Sequence, residues 1–211
     1  MRKYRFILFV LLFCSVAVSA QYQKTNDEQK KEIIGKISQA SGKINTMQCD
    51  FTQVKELSFM DDKTNSEGKM FYKKSDKIRW EYTKPYAYAF AIDGKNIFTT
   101  IGGKKTAVPA KQSKFFDAIS KIMISSISGT GFVDLTDFDA DFFTGNNDYK
   151  IVLNPVKKEV KDLFSSIQLY AAKSDNRIHS IEMVEKNGDK TFITLKNIQI
   201  NTAINDGLFS Q

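Results

Sequence analysis

The residues able to do chemistry are few and are poorly arranged for it. The single histidine, His179, sits beside Ile178 in an alternating, strand-like stretch. No serine or cysteine stands near it in a nucleophile–base arrangement, so it reads as an ordinary strand histidine. Asp137, Asp139, Asp141 and Asp148 fall at positions 1, 3, 5 and 12 of a calcium-type loop. Position 6 needs glycine for its sharp turn and is Phe142, and position 12 carries Asp where a bidentate Glu is usual. A solvated acidic loop anchored by phenylalanines is the better reading. Cys49 lacks a histidine or CxxC neighbour to activate it and reads as a buried thiol. Glycines mark turns, and none forms a phosphate-cradling loop before a helix. Lys157, Lys158 and Lys161 read as an exposed turn. No catalytic set, metal or cofactor is expected, and no enzyme activity.

What stands out instead is apolar. Residues 68–74 and 77–83 flank a Ser75-Asp76 turn and predict a hairpin. With a period of two, Ile78, Trp80 and Tyr82 share one face, and Arg79 and Glu81 share the other. Met70 and Tyr72 on the partner strand match the apolar face. Periodicity alone assigns these bulky side chains equally well to a packed core or to the lining of a cavity.

These residues need elements to hold them. A helix is predicted after residue 25, with Thr25 and Glu28 at capping-box spacing and Asn26 as another cap. Its stripe is Ile33, Ile34, Ile37 and Ala40, with Gly42 as the stop. Strands follow at 47–55, 68–74, 77–83, 86–92 and 96–101. Lys63 to Glu67 reads as a polar turn, and Gly102-Gly103 ends the 86–101 pair. Asp93-Gly94 is a strong hairpin signal. Residues 113–128 switch to helical period, with Phe115, Phe116, Ile119, Ile122, Met123 and Ile127 on one stripe. Residues 130–147 read as irregular and acidic. Strands return at 149–153, 165–171, 178–185, 190–195 and 198–201. The count is nine or ten strands and two apolar helices, which favours an antiparallel meander that must be covered on its apolar face.

Residues 1–20 read as a cleavable secretory leader. Arg2, Lys3 and Arg5 precede an apolar run, and Val18-Ser19-Ala20 supplies small residues at the cut. The run is far shorter than the roughly 20 residues of a membrane span. Phe13 precedes Cys14 where a lipid-attachment signal needs a small residue, so an unlipidated chain starting at Gln21 is expected. Three of the 31 basic residues and none of the 24 acidic ones lie in the leader, which leaves +4 on residues 21–211. That mild charge, with no basic run interleaved with aromatics, argues against a nucleic-acid partner. The 191 remaining residues suit a single domain, 21–211, with a sizeable core.

Several stretches resemble the LolA family of periplasmic outer-membrane lipoprotein carriers. They are Met47-Gln48-Cys49-Asp50-Phe51-Thr52-Gln53, Gly68, the run from Phe71 through Lys74-Ser75-Asp76 to Tyr82, Pro85 and Asp93-Gly94. Leu153-Asn154-Pro155, Ile178 with Ile181, and the 191–201 strand pair keep the family's layout. The resemblance implies an unclosed antiparallel β half-barrel covered by a helical lid. Between them would lie a hydrophobic cavity for the acyl chains of lipoproteins. It assigns Met70, Tyr72, Ile78, Trp80 and Tyr82, with Ile33 and Ile37, to the cavity, and Phe115, Phe116, Ile119, Ile122 and Met123 to the lid. Lys74 falls where many members carry an Arg that latches barrel to lid; a lysine lacks its planar fork. The implied partners of such a monomeric carrier are acylated lipoproteins, an inner-membrane ABC-type release complex, and an outer-membrane acceptor or the membrane itself. The alternative is a lipid- or peptide-binding sensor or regulatory module of the same fold in the envelope.

Overall fold

The computed structural model describes residues 22–109, 120, 122–125, 127–128 and 137–210. The leader and three of the expected lid residues, Phe115, Phe116 and Ile119, lie outside the described residues.

Helix α1 (Asp27–Gly42) starts where Asn26 accepts a hydrogen bond from the Gln29 backbone N–H (2.9 Å) and Gln29 Oε1 accepts one from Asn26 N–H (3.1 Å). The box therefore sits one residue later than the Thr25–Glu28 spacing, because Thr25 has another use. Its hydroxyl and its N–H both donate to the Phe142 carbonyl. Ile33 and Ile37 are buried on the inner stripe, as the spacing predicts.

The strands are β1 (Gln23–Lys24), β2 (Thr46–Glu56), β3 (Lys63–Lys73), β4 (Lys77–Lys84), β5 (Tyr88–Ile92), β6 (Asn96–Ile101), β7 (Lys104–Pro109), β8 (Phe138–Thr144), β9 (Asp148–Pro155), β10 (Phe164–Ala172), β11 (Ile178–Glu185) and β12 (Lys190–Ile200). They form one antiparallel sheet in the order β1-β8-β9-β10-β11-β12-β2-β3-β4-β5-β6-β7. β1 and β7 are its free edges, so the barrel is not closed. A short helix, α2 (Lys158–Lys161), replaces the exposed turn expected there, and a 3₁₀ turn (Asp206–Ser210) packs on β4 and β5. No helix among the described residues is long and apolar enough to cross a membrane.

The twelve strands among the described residues exceed the nine or ten expected, and the main differences have a physical origin. Residues 63–67 are not a turn but the start of β3, which pairs with β2 over its whole length. They are mostly exposed and polar, so period two leaves no apolar trace. β7, beyond the Gly102-Gly103 turn, is exposed throughout and is held by backbone pairing and one Thr99–Thr106 hydroxyl contact, as suits a lysine-bearing edge. The acidic segment contains β8, whose Ala140 and Phe142 point inward while Asp139 and Asp141 alternate outward. That arrangement removes the calcium-loop reading. Carboxylates two apart on a strand project ~7 Å apart, and Asp137 and Asp141 instead pair with Lys157 and Lys24. Finally, the last two expected strands are one, β12, interrupted by a register shift where Asn197 adopts φ of +53°.

The Ser75-Asp76 turn has φ of +82° and +62° and lies in a three-residue loop, 74–76, between the paired Lys73 and Lys77. It fixes the register that puts Met70 opposite Trp80 and Tyr72 opposite Ile78. Further from that turn, Gly68 faces Tyr82 on β4 and Phe51 on β2. A Cβ there would lie 2.0 Å from the Glu81 carbonyl oxygen and 2.7 Å from two Phe51 ring carbons. Gly68→Ala is therefore expected to lower stability by about 1–3 kcal/mol. Gly35→Ala, with open space in mid-helix, is expected to raise it by roughly 0.5–1 kcal/mol. Urea titration followed by circular dichroism checks both; an unchanged midpoint for Gly68→Ala would contradict the packing described.

Candidate functional site

The concave face is built in cross-strand rows. Cys49, Met70, Trp80 and Phe90 are successive partners across β2 to β5, and Phe51, Gly68, Tyr82 and Tyr88 form the next row. The space left by Gly68 lets the Phe51 ring approach Trp80 (centroids 4.4 Å) and meet Tyr82 edge-on (5.0 Å). Tyr82 in turn stacks on Tyr88 at 4.3 Å. Contacts of this kind add stabilisation beyond the area they bury. They make a stiff aromatic wall at the end of the barrel where β2, β4 and β11 finish.

Behind that wall lies a cavity of about 280 Å³. Its lining is Gln53 and Lys55 from β2, Trp80 and Tyr82 from β4, Tyr88 and Phe90 from β5, Phe164 from β10, Met183 and Glu185 from β11, Thr191 and Ile193 from β12, and Met123. Met123 belongs to the helical residues 122–125 and 127–128 and is buried together with Ile122 and Ile127. This segment therefore forms one wall of the cavity. At the same end of the sheet, Phe59, Met60 and Tyr86 stand exposed in the β2–β3 and β4–β5 loops.

Of the residues singled out from sequence, Trp80, Tyr82 and Met123 line this cavity. Met70, Tyr72, Ile78, Ile33, Ile37 and Ile122 lie in the continuous apolar core and are not among its lining. Lys74 is exposed in the turn after β3, where its backbone N–H donates to the Asn45 carbonyl. His179, in β11, has Nδ1 2.9 Å from Ser180 Oγ and Nε2 3.4 Å from Asp148.

Sequence reasoning missed the polar part of the lining. Lys55 Nζ and Glu185 Oε1 are 3.0 Å apart, and the Tyr82 hydroxyl donates to Gln53 Oε1 at 2.8 Å. Burial pushes the Tyr82 phenol well above its usual range, so it stays a neutral donor. The available signal was the inward alternation of β2 and β11 continued to their ends. Gln53 and Lys55 follow Phe51, and Glu185 follows Met183.

A family model described as outer membrane lipoprotein carrier protein LolA matches residues 42–211. Comparison with curated proteins finds no match. Among solved structures, an uncharacterized conserved protein from Thermus thermophilus superposes with a TM-score of 0.53 at 10% identity, covering 87% of this chain and 93% of that one. A DUF1329 family protein from Desulfovibrio piger gives 0.50 at 12% identity, covering 86% and 96%. MucB, a Pseudomonas aeruginosa protein, gives 0.51 at 10% identity, covering 87% of this chain and 63% of MucB. At such identities the likeness shows the fold.

Cys49 sits in the first of the two rows and is 5% exposed. Burial, and secondarily the charge of Asp50, pushes its thiol up to about 12 from 9.0. The sign follows from linkage: unfolded Cys49 ionises near pH 9 while the folded thiol stays neutral. Its contribution to stability is whole below pH 9 and is lost as pH rises from there toward 12. Denaturation curves at pH 8 and pH 10.5 are expected to show a smaller loss for Cys49→Ala than for the parent. An identical loss in both would contradict this account of the thiol.

Proposed function

The chain belongs to the LolA family, and on that footing we propose that it carries acylated lipoproteins through the periplasm, holding their acyl chains in the cavity behind Trp80. The observation that carries the reading is an apolar cavity walled on one side by a helical segment that is not part of the sheet. The leader read in residues 1–20 would deliver the chain to that compartment. The inner-membrane ABC-type release complex would load it, and an outer-membrane acceptor or the membrane itself would receive the cargo.

The magnitudes fit a carrier. Burying an acyl chain is worth about 0.8 kcal/mol per CH₂, so ~15 methylenes contribute on the order of 12 kcal/mol. Without a carrier such chains do not cross water at a useful rate. A site that returned all of that energy as affinity would never release its cargo. The cavity as it stands, about 280 Å³, is too small for the chains of a triacylated lipoprotein. Loading therefore requires the segment carrying Ile122, Met123 and Ile127 to give way. Its own buried contacts are exchanged for acyl contacts, and the net binding energy is the difference between them. The exposed Phe59, Met60 and Tyr86 at the same end offer an apolar rim across which chains can pass.

The test is transfer. The protein of residues 21–211 is expected to draw a triacylated lipoprotein from membrane vesicles into the aqueous phase and to yield it to acceptor vesicles, both read by mass spectrometry. Phe90→Glu, which places an unpaired carboxylate in the apolar wall, and Thr191→Phe, which fills the cavity, are each expected to reduce transfer at least ~10-fold with native circular dichroism. Undiminished transfer by both folded variants would sink the proposal. Uptake without delivery would favour the sensor or regulatory reading.

A further inference from the structure

We propose that the cavity discriminates by head-group charge, accepting acyl chains that end in a neutral ester or amide and rejecting free fatty acids. The inference rests on the reading of the cavity as an acyl-chain site and adds the class of ligand it takes.

Lys55 and Glu185 are the only charged side chains among the described residues of the lining, and at 3.0 Å they neutralise one another. A ligand carboxylate brought to the same wall would meet an ammonium already paired with Glu185 and would set a second carboxylate beside the first. The site is not a bare cation waiting for an anion.

The wall does offer neutral hydrogen-bond donors. The Trp80 indole N–H is buried, and its neighbour, the Tyr82 hydroxyl oxygen, is a weak acceptor outside regular hydrogen-bond geometry. Gln53 uses its carbonyl oxygen to accept from Tyr82, which leaves its amide N–H groups as donors. The Thr191 hydroxyl adds another polar atom to the lining. A buried donor left with a weak acceptor costs free energy that an incoming carbonyl oxygen recovers. Ester and amide carbonyls supply that oxygen without bringing a charge. The aromatic wall then takes the chain while the polar wall holds the linkage between chain and head.

The test uses three twelve-carbon probes at pH 8: 1-monolauroylglycerol, methyl laurate and laurate. Calorimetry measures binding to the protein of residues 21–211, with the emission of Trp80, its single tryptophan, as a second readout. Both neutral esters are expected to bind at least roughly tenfold more tightly than laurate. Glu185→Gln frees the Lys55 charge and is expected to raise laurate affinity relative to that of the esters, to parity or above. Lys55→Met is expected to leave laurate as weak as in the parent or weaker. Equal binding of all three probes by the parent, unaltered in Glu185→Gln, would overturn the charge discrimination and leave the acyl site standing. Binding of none, with Trp80 emission unchanged, would overturn the acyl site and this inference together. The parent's ranking of the three probes decides the matter even if a variant fails to fold.

Discussion

One open sheet must put its apolar face somewhere. Among the described residues twelve antiparallel strands curl until one face is concave, but the two edge strands do not pair, so that face cannot seal itself. The other parts of the molecule answer that constraint. Helix α1 fills one end with Ile33 and Ile37 and is tied to the sheet through Lys30, whose ammonium donates to the Ala140 carbonyl at 3.2 Å. The helical segment carrying Ile122, Met123 and Ile127 covers the other. Where α1 belongs to the packing, the core is continuous. Where the second cover meets the aromatic wall, a space remains. The cavity is thus the place where covering and filling stop being the same task.

The aromatic wall keeps that space from collapsing. Phe51, Trp80, Tyr82 and Tyr88 brace one another through ring contacts made possible by the missing side chain at Gly68. Beside them, the Lys55–Glu185 pair and the Tyr82–Gln53 hydrogen bond supply polarity without net charge. Stiff wall, neutral polar strip and helical cover are three different physical devices. On the proposed reading they would let the site admit a chain, orient its linkage and let it go.

Much of this was legible in the residues. The period-two pattern of 77–83 put Ile78, Trp80 and Tyr82 on the inner face, and Ser75-Asp76 and Asp93-Gly94 set two hairpin registers. The helix stripe at Ile33 and Ile37 was read correctly because its burial is one-sided. What was not legible lies where burial is weak or polar residues point inward. Residues 63–67 and β7 pair through their backbones in the open, which leaves no hydrophobic rhythm. β8 was hidden because Asp139 and Asp141 suggested ligands before Ala140 and Phe142 suggested a strand. The cavity's extent could not be read either, since whether an inward residue meets a neighbour or a void depends on strands distant in sequence. Trp80 meets Phe51 and the cavity, whereas Ile78, two residues away, meets only core. Polar lining residues such as Lys55 and Glu185 look like ordinary strand ends until the sheet curls them toward each other.

The central claim is that acyl chains lie against Trp80. A triacylated lipopeptide carrying bromine atoms at mid-chain tests it most directly, because bromine quenches indole emission only at close range and Trp80 is the single tryptophan of the chain. With the lipopeptide bound at a stoichiometry fixed by native mass spectrometry, Trp80 emission is expected to fall in step with occupancy and to return when an unbrominated lipopeptide displaces it. Full emission from a saturated complex would place the chains elsewhere and contradict the account.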